Sequence, residues 1–505
     1  MRRNRRARRA TGALLAGLTA LVAGCAVGPV YHAPPAPKLT GYTAVPLPTT
    51  ISAAPSGAAP QTLEYGAVVK REWWRNFGSP ALDRLVQTAL NRNPGLDAAE
   101  ATLREARYDF EAATGVFYPE VSLGLSGERL KESGASSGGL FTPPLFNLYT
   151  GEVSVSYDPD VFGLNRLVSR GAQAQVDIAA DQMQAARLTL EGNVVNTVLD
   201  LAALEEEIAA EQNDIQDQSQ LLELTRKRYA LGADSELAVL TQATQLESTR
   251  AALSQLELAR DQARHLLALY LGKFPAEALD LETPRLAALE LPRKLPVSLP
   301  TALVRQRPDI RAAEAQLRAA NAVVGEQVAR MFPLLQLTAD YGGQSNSLGN
   351  LFDPASRIWD LGAALAAPLF QGGILEAQKH AAEQAYVVVF ANYRTTVLNA
   401  FGNVADVLRA LQHDAVTAAA EQRALQDASR AFGLVRTQYQ RGAVDYLSLL
   451  TTEVQYDTAR IANLQAQTRQ LADTAALYVA LGGGDDTLAD PPHNRHPGRS
   501  KDFSR

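Results

Sequence analysis

One cysteine in 505 residues leaves no partner for an intrachain disulfide, so covalent cross-linking cannot stabilise this fold. Aromatic residues are scarce as well, 7% against 46% hydrophobic in all. Ala and Leu, with abundant Gln, Glu and Arg, give a helix-rich, coiled-coil-like composition. The six histidines, two of them His493 and His496 near the end, lack metal-ligand spacings such as HExxH. No nucleophile with a base, no paired carboxylate and no Gly-rich phosphate loop stands out. The expectation is therefore no enzyme, no metal site and no cofactor. A net charge of −6 and a pI near 5.7 argue against a nucleic-acid partner.

What is present begins at the N-terminus. Arg2, Arg3, Arg5, Arg6, Arg8 and Arg9 form a positive region, followed by an apolar stretch over 13–23. That stretch is about 11 residues long, short of the about 20 that span a bilayer, and reads as an export signal over 1–24. It ends in Val22-Ala23-Gly24-Cys25, which resembles a bacterial lipobox and makes Cys25 the candidate lipidation site. Ala26 in the following position resembles lipoproteins that go on to the outer membrane. Residues 25–72, with a Pro-, Ala-, Ser- and Thr-rich part from 29 to 60, are expected to form an extended, lipid-anchored tether. Residues 483–505 are expected to be a disordered polar tail.

The body says most things twice. LTRKRYALGADSELAVLT from Leu224 returns as LVRTQYQRGAVDYLSLLT from Leu434, the offset being 439 − 229 = 210. Each copy reads as a helix ending at a glycine, a short turn, and a second helix opened by Asp234-Ser235 or Asp445, which makes it the tip of a helical hairpin. Upstream, NPGLDAAEATLREA from Asn93 matches RPDIRAAEAQLRAA from Arg307, with 308 − 94 = 214. The Asn93-Pro94 step predicts a break in a helix over 80–116. These matches define a first repeat over 73–297 and a second over 298–482.

After Tyr118-Pro119 and Phe332-Pro333 the apolar period changes from 3.6 to 2, predicting strand pairs over 120–130 and 150–158, and over 334–342 and 358–368. Aromatics gather near the strand ends, as in membrane barrels, although a soluble sandwich edge shows the same alternation. Long helical runs without proline follow, from Leu164 and from Ile374, and would extend roughly 100 Å if unbroken. Four strands cannot close in lipid, because open edges leave backbone groups unpaired and the smallest barrels have about 8 strands. Membrane strands thus imply an oligomer: two copies would supply about 8 strands and three about 12, and twelve leave more room for a lumen.

The lipobox with CAVGPVY, the doubled helix–strand–strand–helix–tip–helix order, the YxxG tips and the junctions DVFG at 160–163 and PLFQGG at 368–373 resemble the outer-membrane factor family of TolC-, OprM- and NodT-like lipoproteins. The likeness covers about Trp73 to Gly482 and the lipobox. The fold class it implies is an α+β membrane protein with internal duplication. Long helices form a helical barrel, and each chain gives four strands to a 12-stranded transmembrane barrel of a homotrimer. It implies a passive exit duct in the Gram-negative outer membrane for small molecules. These are delivered by an inner-membrane pump, usually of the resistance-nodulation-division class, through a periplasmic adaptor. The family's narrow aperture maps to Tyr439, Gly442, Asp445, Leu447 and Thr451, and the first-repeat tip to Tyr229, Gly232, Leu237 and Thr241. Many relatives carry an acidic residue and an arginine where this chain has Thr451 and Val454, so the expected lock is apolar and centred on Leu447. Arg226 and Arg436 are candidates to hydrogen-bond carbonyls at their helix ends. A lipid-anchored periplasmic coiled-coil scaffold is the alternative function.

Overall fold

The computed structural model describes residues 27–51, 60–131 and 145–484. The expected signal, Cys25 and all but the first two residues of the expected tail lie outside the described residues. The chain divides into two units. Residues up to 34, 102–180 and 312–393 make one, and residues 35–101, 181–311 and from 394 onward make the other.

Eight helices of seven residues or more and seven strands are formed by the described residues. The helices are α1 (Pro80–Arg92), α2 (Pro94–Gly115), α3 (Leu164–Ala230), α4 (Glu236–Tyr270), α5 (Pro300–Gln306), α6 (Pro308–Ala329), α7 (Ile374–Gln440) and α8 (Tyr446–Ala480). The strands are β1 (Thr50–Ile51), β2 (Gln61–Tyr65), β3 (Glu120–Leu130), β4 (Phe146–Tyr157), β5 (Lys294–Val297), β6 (Leu334–Ser345) and β7 (Arg357–Ala366). The helix break falls where proline places it. Asn93 takes an extended ψ of 118°, and its Oδ1 accepts the N–H of Gly95 at 2.9 Å to start α2 afresh. α3 and α7 each run unbroken for 67 residues, and α4 and α8 each for 35.

The first unit carries a four-stranded antiparallel sheet in the order β3-β4-β6-β7. Its register places like beside like. Leu123, Val153, Tyr341 and Trp359 lie in one row across all four strands, and Val121, Val155, Ala339 and Leu361 in the row two residues on. The row between them, Ser122, Ser154, Asp340 and Asp360, belongs to the opposite face. Leu123, Tyr341, Trp359 and Leu361 are all at least 60% exposed, so these side chains are left largely uncovered by the described residues. β4 starts four residues earlier than the expected 150, β6 continues three beyond the expected 342, and β7 ends two short of the expected 368. Pairing decides these ends, since Tyr149 bonds across to Ser345 in a part of the sequence without alternation.

The second unit holds the main core. Trp73, Trp74 and Phe77 are fully buried, Trp73 stacks on Tyr478 of α8 at 5.4 Å, and its Nε1 donates to Glu191 of α3 at 3.1 Å. Burial pushes the Glu191 carboxyl up from its ordinary range despite its ion pair with Arg187.

Of the expected tether over 25–72, the described residues 27–51 and 60–72 are packed rather than free. Apolar residues scattered among its prolines find partners, and burial of their side chains outweighs the entropy of ordering an extended chain. Leu47, Ile51, Leu63 and Val69 are buried, the Tyr42 hydroxyl donates to Ser298 O at 2.8 Å, and β2 joins β5 in parallel with β1 on its other side. Within the first unit, Val27 N donates to Phe162 O at 3.3 Å and Asn321 donates to Pro29 O at 3.1 Å. Gly28, at φ +114°, crosses so near that a Cβ there would lie 3.0 Å from the Gly325 Cα.

Candidate functional site at the hairpin tips

Both tips are built by the same backbone device. At the end of α3, Gly232 has φ +72°, its N–H donates to Tyr229 O at 2.9 Å, and Ala233 N donates to Arg228 O at 2.8 Å. At the end of α7, Gly442 has φ +75°, with Gly442 N to Tyr439 O and Ala443 N to Gln438 O both at 2.9 Å. Each is a left-handed glycine termination that satisfies the last carbonyls of a helix. The following helices are capped by side chains. Ser235 Oγ accepts from Ala238 N at 3.2 Å, and Asp445 Oδ1 accepts from Ser448 N at 2.9 Å and Ser448 Oγ at 2.6 Å. Those bonds hold the exposed Asp445 carboxyl below its ordinary range.

Side chains make the two tips unequal. Tyr439 is fully buried, whereas its counterpart Tyr229 is 46% exposed. The Tyr439 hydroxyl donates to Asp234 Oδ2 at 2.8 Å and lies 3.3 Å from Thr225 Oγ1. Arg228 bridges the same group, its Nε donating to Asp234 Oδ2 at 2.8 Å and its Nη1 to Tyr439 O at 3.2 Å, with the guanidinium 4.6 Å from the ring centroid. Burial, with the Asp234 bond and charge, pushes the Tyr439 phenol up, so it stays a donor across the physiological range. Tyr446 meets Tyr439 edge-on at 6.3 Å and donates to Gln242 Oε1 at 2.8 Å. The first and second tips are thus bound together through Asp234, Arg228, Tyr439 and Tyr446. An aspartate between an arginine and a tyrosine is a structural latch with no reactive atom in it.

Tyr439, expected beside the aperture, lies inside the hairpin pair because its hydroxyl is taken by Asp234. Leu447 is 66% exposed and Leu237 73%, so both side chains stand mostly clear of the described residues. Thr451 and Thr241 are exposed, and each hydroxyl donates to a carbonyl one turn back, Leu447 O or Leu237 O, at 2.8 Å. The expected role of Arg226 and Arg436 is overturned. Arg226 pairs with Glu223 one turn back on its own helix at 3.0 Å, and Arg436 crosses to Asp217 of α3 at 3.2 Å. Arg228 takes the carbonyl of the neighbouring helix end instead. Its signal was present as a difference between copies, since Arg228 and Asp234 stand where the second repeat has Gln438 and Val444.

No group of side chains suited to a metal ion occurs among the described residues, and no described helix is long and apolar enough to cross a membrane. A long-helix protein with paired hairpin tips and an antiparallel sheet presenting one apolar face belongs to the class of membrane channels with a helical extension. Comparison with known proteins makes this specific. Residues 85–273 and 299–483 match the model of the outer membrane efflux protein family. The pyoverdine export outer membrane protein OpmQ of Pseudomonas putida is 30% identical over 445 residues, 87% of this chain and 94% of that one. The structure of the outer-membrane channel OprN superposes with a TM-score of 0.81 at 26% identity, covering 91% of this chain and 99% of its own. That of VceC from Vibrio cholerae gives 0.77 at 28%, covering 82% and 99%. The chain belongs to the outer membrane efflux protein family. It is an outer-membrane channel, the tunnel of a tripartite efflux system, and a transport duct rather than an enzyme. Its partners are of the adaptor and pump kind.

Proposed function

We propose that three copies of this chain close one 12-stranded transmembrane barrel, and that the duct is anchored by lipid on Cys25 and opens to the periplasm at the hairpin tips. The observation that carries this reading is the four-stranded sheet, whose edge strands β3 and β7 find no further strand among the described residues. Hydrocarbon cannot satisfy such edges, so β7 of one copy pairs with β3 of the next. Strands of 10 to 12 residues suit a tilted membrane strand, for which about 9–11 are needed. The apolar rows through Leu123 and Val121 face lipid and the row through Asp340 and Asp360 faces a watery lumen.

Internal duplication is supported by the equal lengths of α3 and α7, and of α4 and α8, and by the matched glycine terminations. Leu447, exposed beside the capped start of α8, is the residue that meets its copies and narrows the mouth. The pump is of the resistance-nodulation-division class, and the cargo is a small molecule that the pump selects. Native mass measurement of the detergent-solubilised protein tests the assembly. A trimer is expected, and a monomer or dimer as the sole species would sink the closed 12-stranded barrel.

A further inference from the structure

Away from the tips, one face of α8 is unusually acidic for a buried surface. Glu453, Asp457 and Arg460 share that face and meet Gln218, Asp214 and Glu211 of α3, with Glu207 beside Gln465 further along. Arg460 donates to both oxygens of Asp214, one bond measuring 2.9 Å, and lies 3.8 Å from Asp457. Glu453 is 5% exposed and its Oε2 has no hydrogen-bond partner. The carboxyl groups of Glu211, Asp214 and Asp457 therefore gather about the guanidinium of Arg460, while Glu453 faces the charges of Asp457 and Asp214 and takes Arg436 as its cation. Arg436 of α7, the next cation, is engaged by Asp217. From α4 the uncharged Gln242 and Thr249 reach this region, Gln242 accepting from Tyr446 and Thr249 donating to Gln218 Oε1 at 3.0 Å.

Four carboxyl groups buried beside two guanidiniums, one of them already engaged by Asp217, repel one another and lack solvation, so the packed arrangement favours protons on some of them. Burial, then Asp457 and Asp214, pushes Glu453 up to about 7 against its bond to Gln218 and the charge of Arg436. Burial, then Asp214, does the same to Asp457, up to about 7 despite Arg460. Burial also raises Glu211 and Glu207. The neighbouring Tyr446 phenol is raised by burial and by Glu453, so it stays neutral. On the α7 side of α8, Asp414 faces Asp473, and burial plus that partner pushes Asp414 up to about 7 against Arg469.

We propose that α8 is held against α3 by a proton-loaded carboxyl seam, so that parting the two helices releases protons and becomes easier as the pH rises from acidic to neutral. In the packed seam the acids keep their protons toward neutrality; once water reaches them they return to the ordinary carboxylate range near about 4. Between those limits the packed form binds more protons than the parted one. The seam's advantage is therefore full below about pH 4, declines between about 4 and 7, and is constant above. Each proton released shifts the packed-to-parted ratio by roughly tenfold between about pH 5.5 and about 7.5 once solvent screening is allowed for.

The test uses the full chain in a membrane mimic, with nitroxides on Gln212→Cys and Thr458→Cys, both exposed positions on α3 and α8, and labelled chains diluted among unlabelled ones. Pulsed electron resonance reads the α3–α8 distance. The long-distance population is expected to grow roughly tenfold or more between about pH 5.5 and about 7.5. Glu453→Gln with Asp457→Asn, which imitates the protonated seam, is expected to abolish the shift, and Glu453→Gln alone to reduce it. An unchanged distance distribution in the parent protein overturns the proposal, and so does a full shift in the double variant. The parent measurement decides the question even if the double variant does not fold. Being a distance rather than a current, the readout stands or falls independently of the conduit.

Discussion

Removing one hydroxyl from Tyr439 isolates the contact that joins the two tips. In Tyr439→Phe the ring remains packed against Tyr446 and under Arg228, and Asp234 keeps its bonds from Arg228, so only the 2.8 Å Tyr439–Asp234 bond and the Thr225 contact are lost. A hydrogen bond to a charged group contributes about 1.5–3 kcal/mol. Here Asp234 keeps a second partner, which places the loss at the lower end, about 1–2 kcal/mol, or about 5–30-fold in the ratio of joined to separated tips. Asp234→Ala also leaves the Arg228 guanidinium, 20% exposed, without its carboxylate and is expected to cost more, about 3 kcal/mol. Single-channel recording in planar bilayers reads the consequence as a higher time-averaged conductance in both variants. The double variant should show a Tyr439–Asp234 coupling of about 1–2 kcal/mol. Unchanged conductance in both single variants, or a coupling within about 0.3 kcal/mol of zero, would refute the latch.

Other outcomes follow from the same structure. Leu447→Ala should raise single-channel conductance with little change in melting temperature, because most of the side chain is exposed among the described residues. Trp73→Ala removes a fully buried ring stacked on Tyr478 and leaves Glu191 without that donor, so a loss of about 3–5 kcal/mol is expected, seen as a lower thermal midpoint. Cys25→Ser should abolish incorporation of radiolabelled fatty acid while leaving the oligomer intact, since the barrel interface does not require the anchor.

Much of the site was legible because backbone chemistry repeats in the sequence. Gly232 and Gly442 are needed for left-handed helix ends, Ser235 and Asp445 for caps, and Asn93-Pro94 for the helix break, and each does locally what its residue type dictates. The burial of Tyr439 was not legible, because Tyr229 carries the same local pattern and is exposed. The difference lies in a through-space partner, Asp234, on another helix hairpin. Arg226 and Arg436 were misread for a related reason. Their position near a helix end permits a carbonyl contact, but each guanidinium takes a carboxylate instead, Glu223 or Asp217.

Period and punctuation were written in the chain itself: where helices run and stop, where the period changes to 2, and where the same motif recurs. These depend on neighbours a few residues away, so a single sequence suffices to read them. Tertiary structure alone decided that the described part of the Pro-rich segment packs rather than floats. It alone aligned Leu123, Val153, Tyr341 and Trp359 in one apolar row, and brought Asp234 and Tyr439 to 2.8 Å. Contacts between residues some two hundred positions apart are set by how helices and strands pack, and no local pattern encodes which of several similar side chains will be buried.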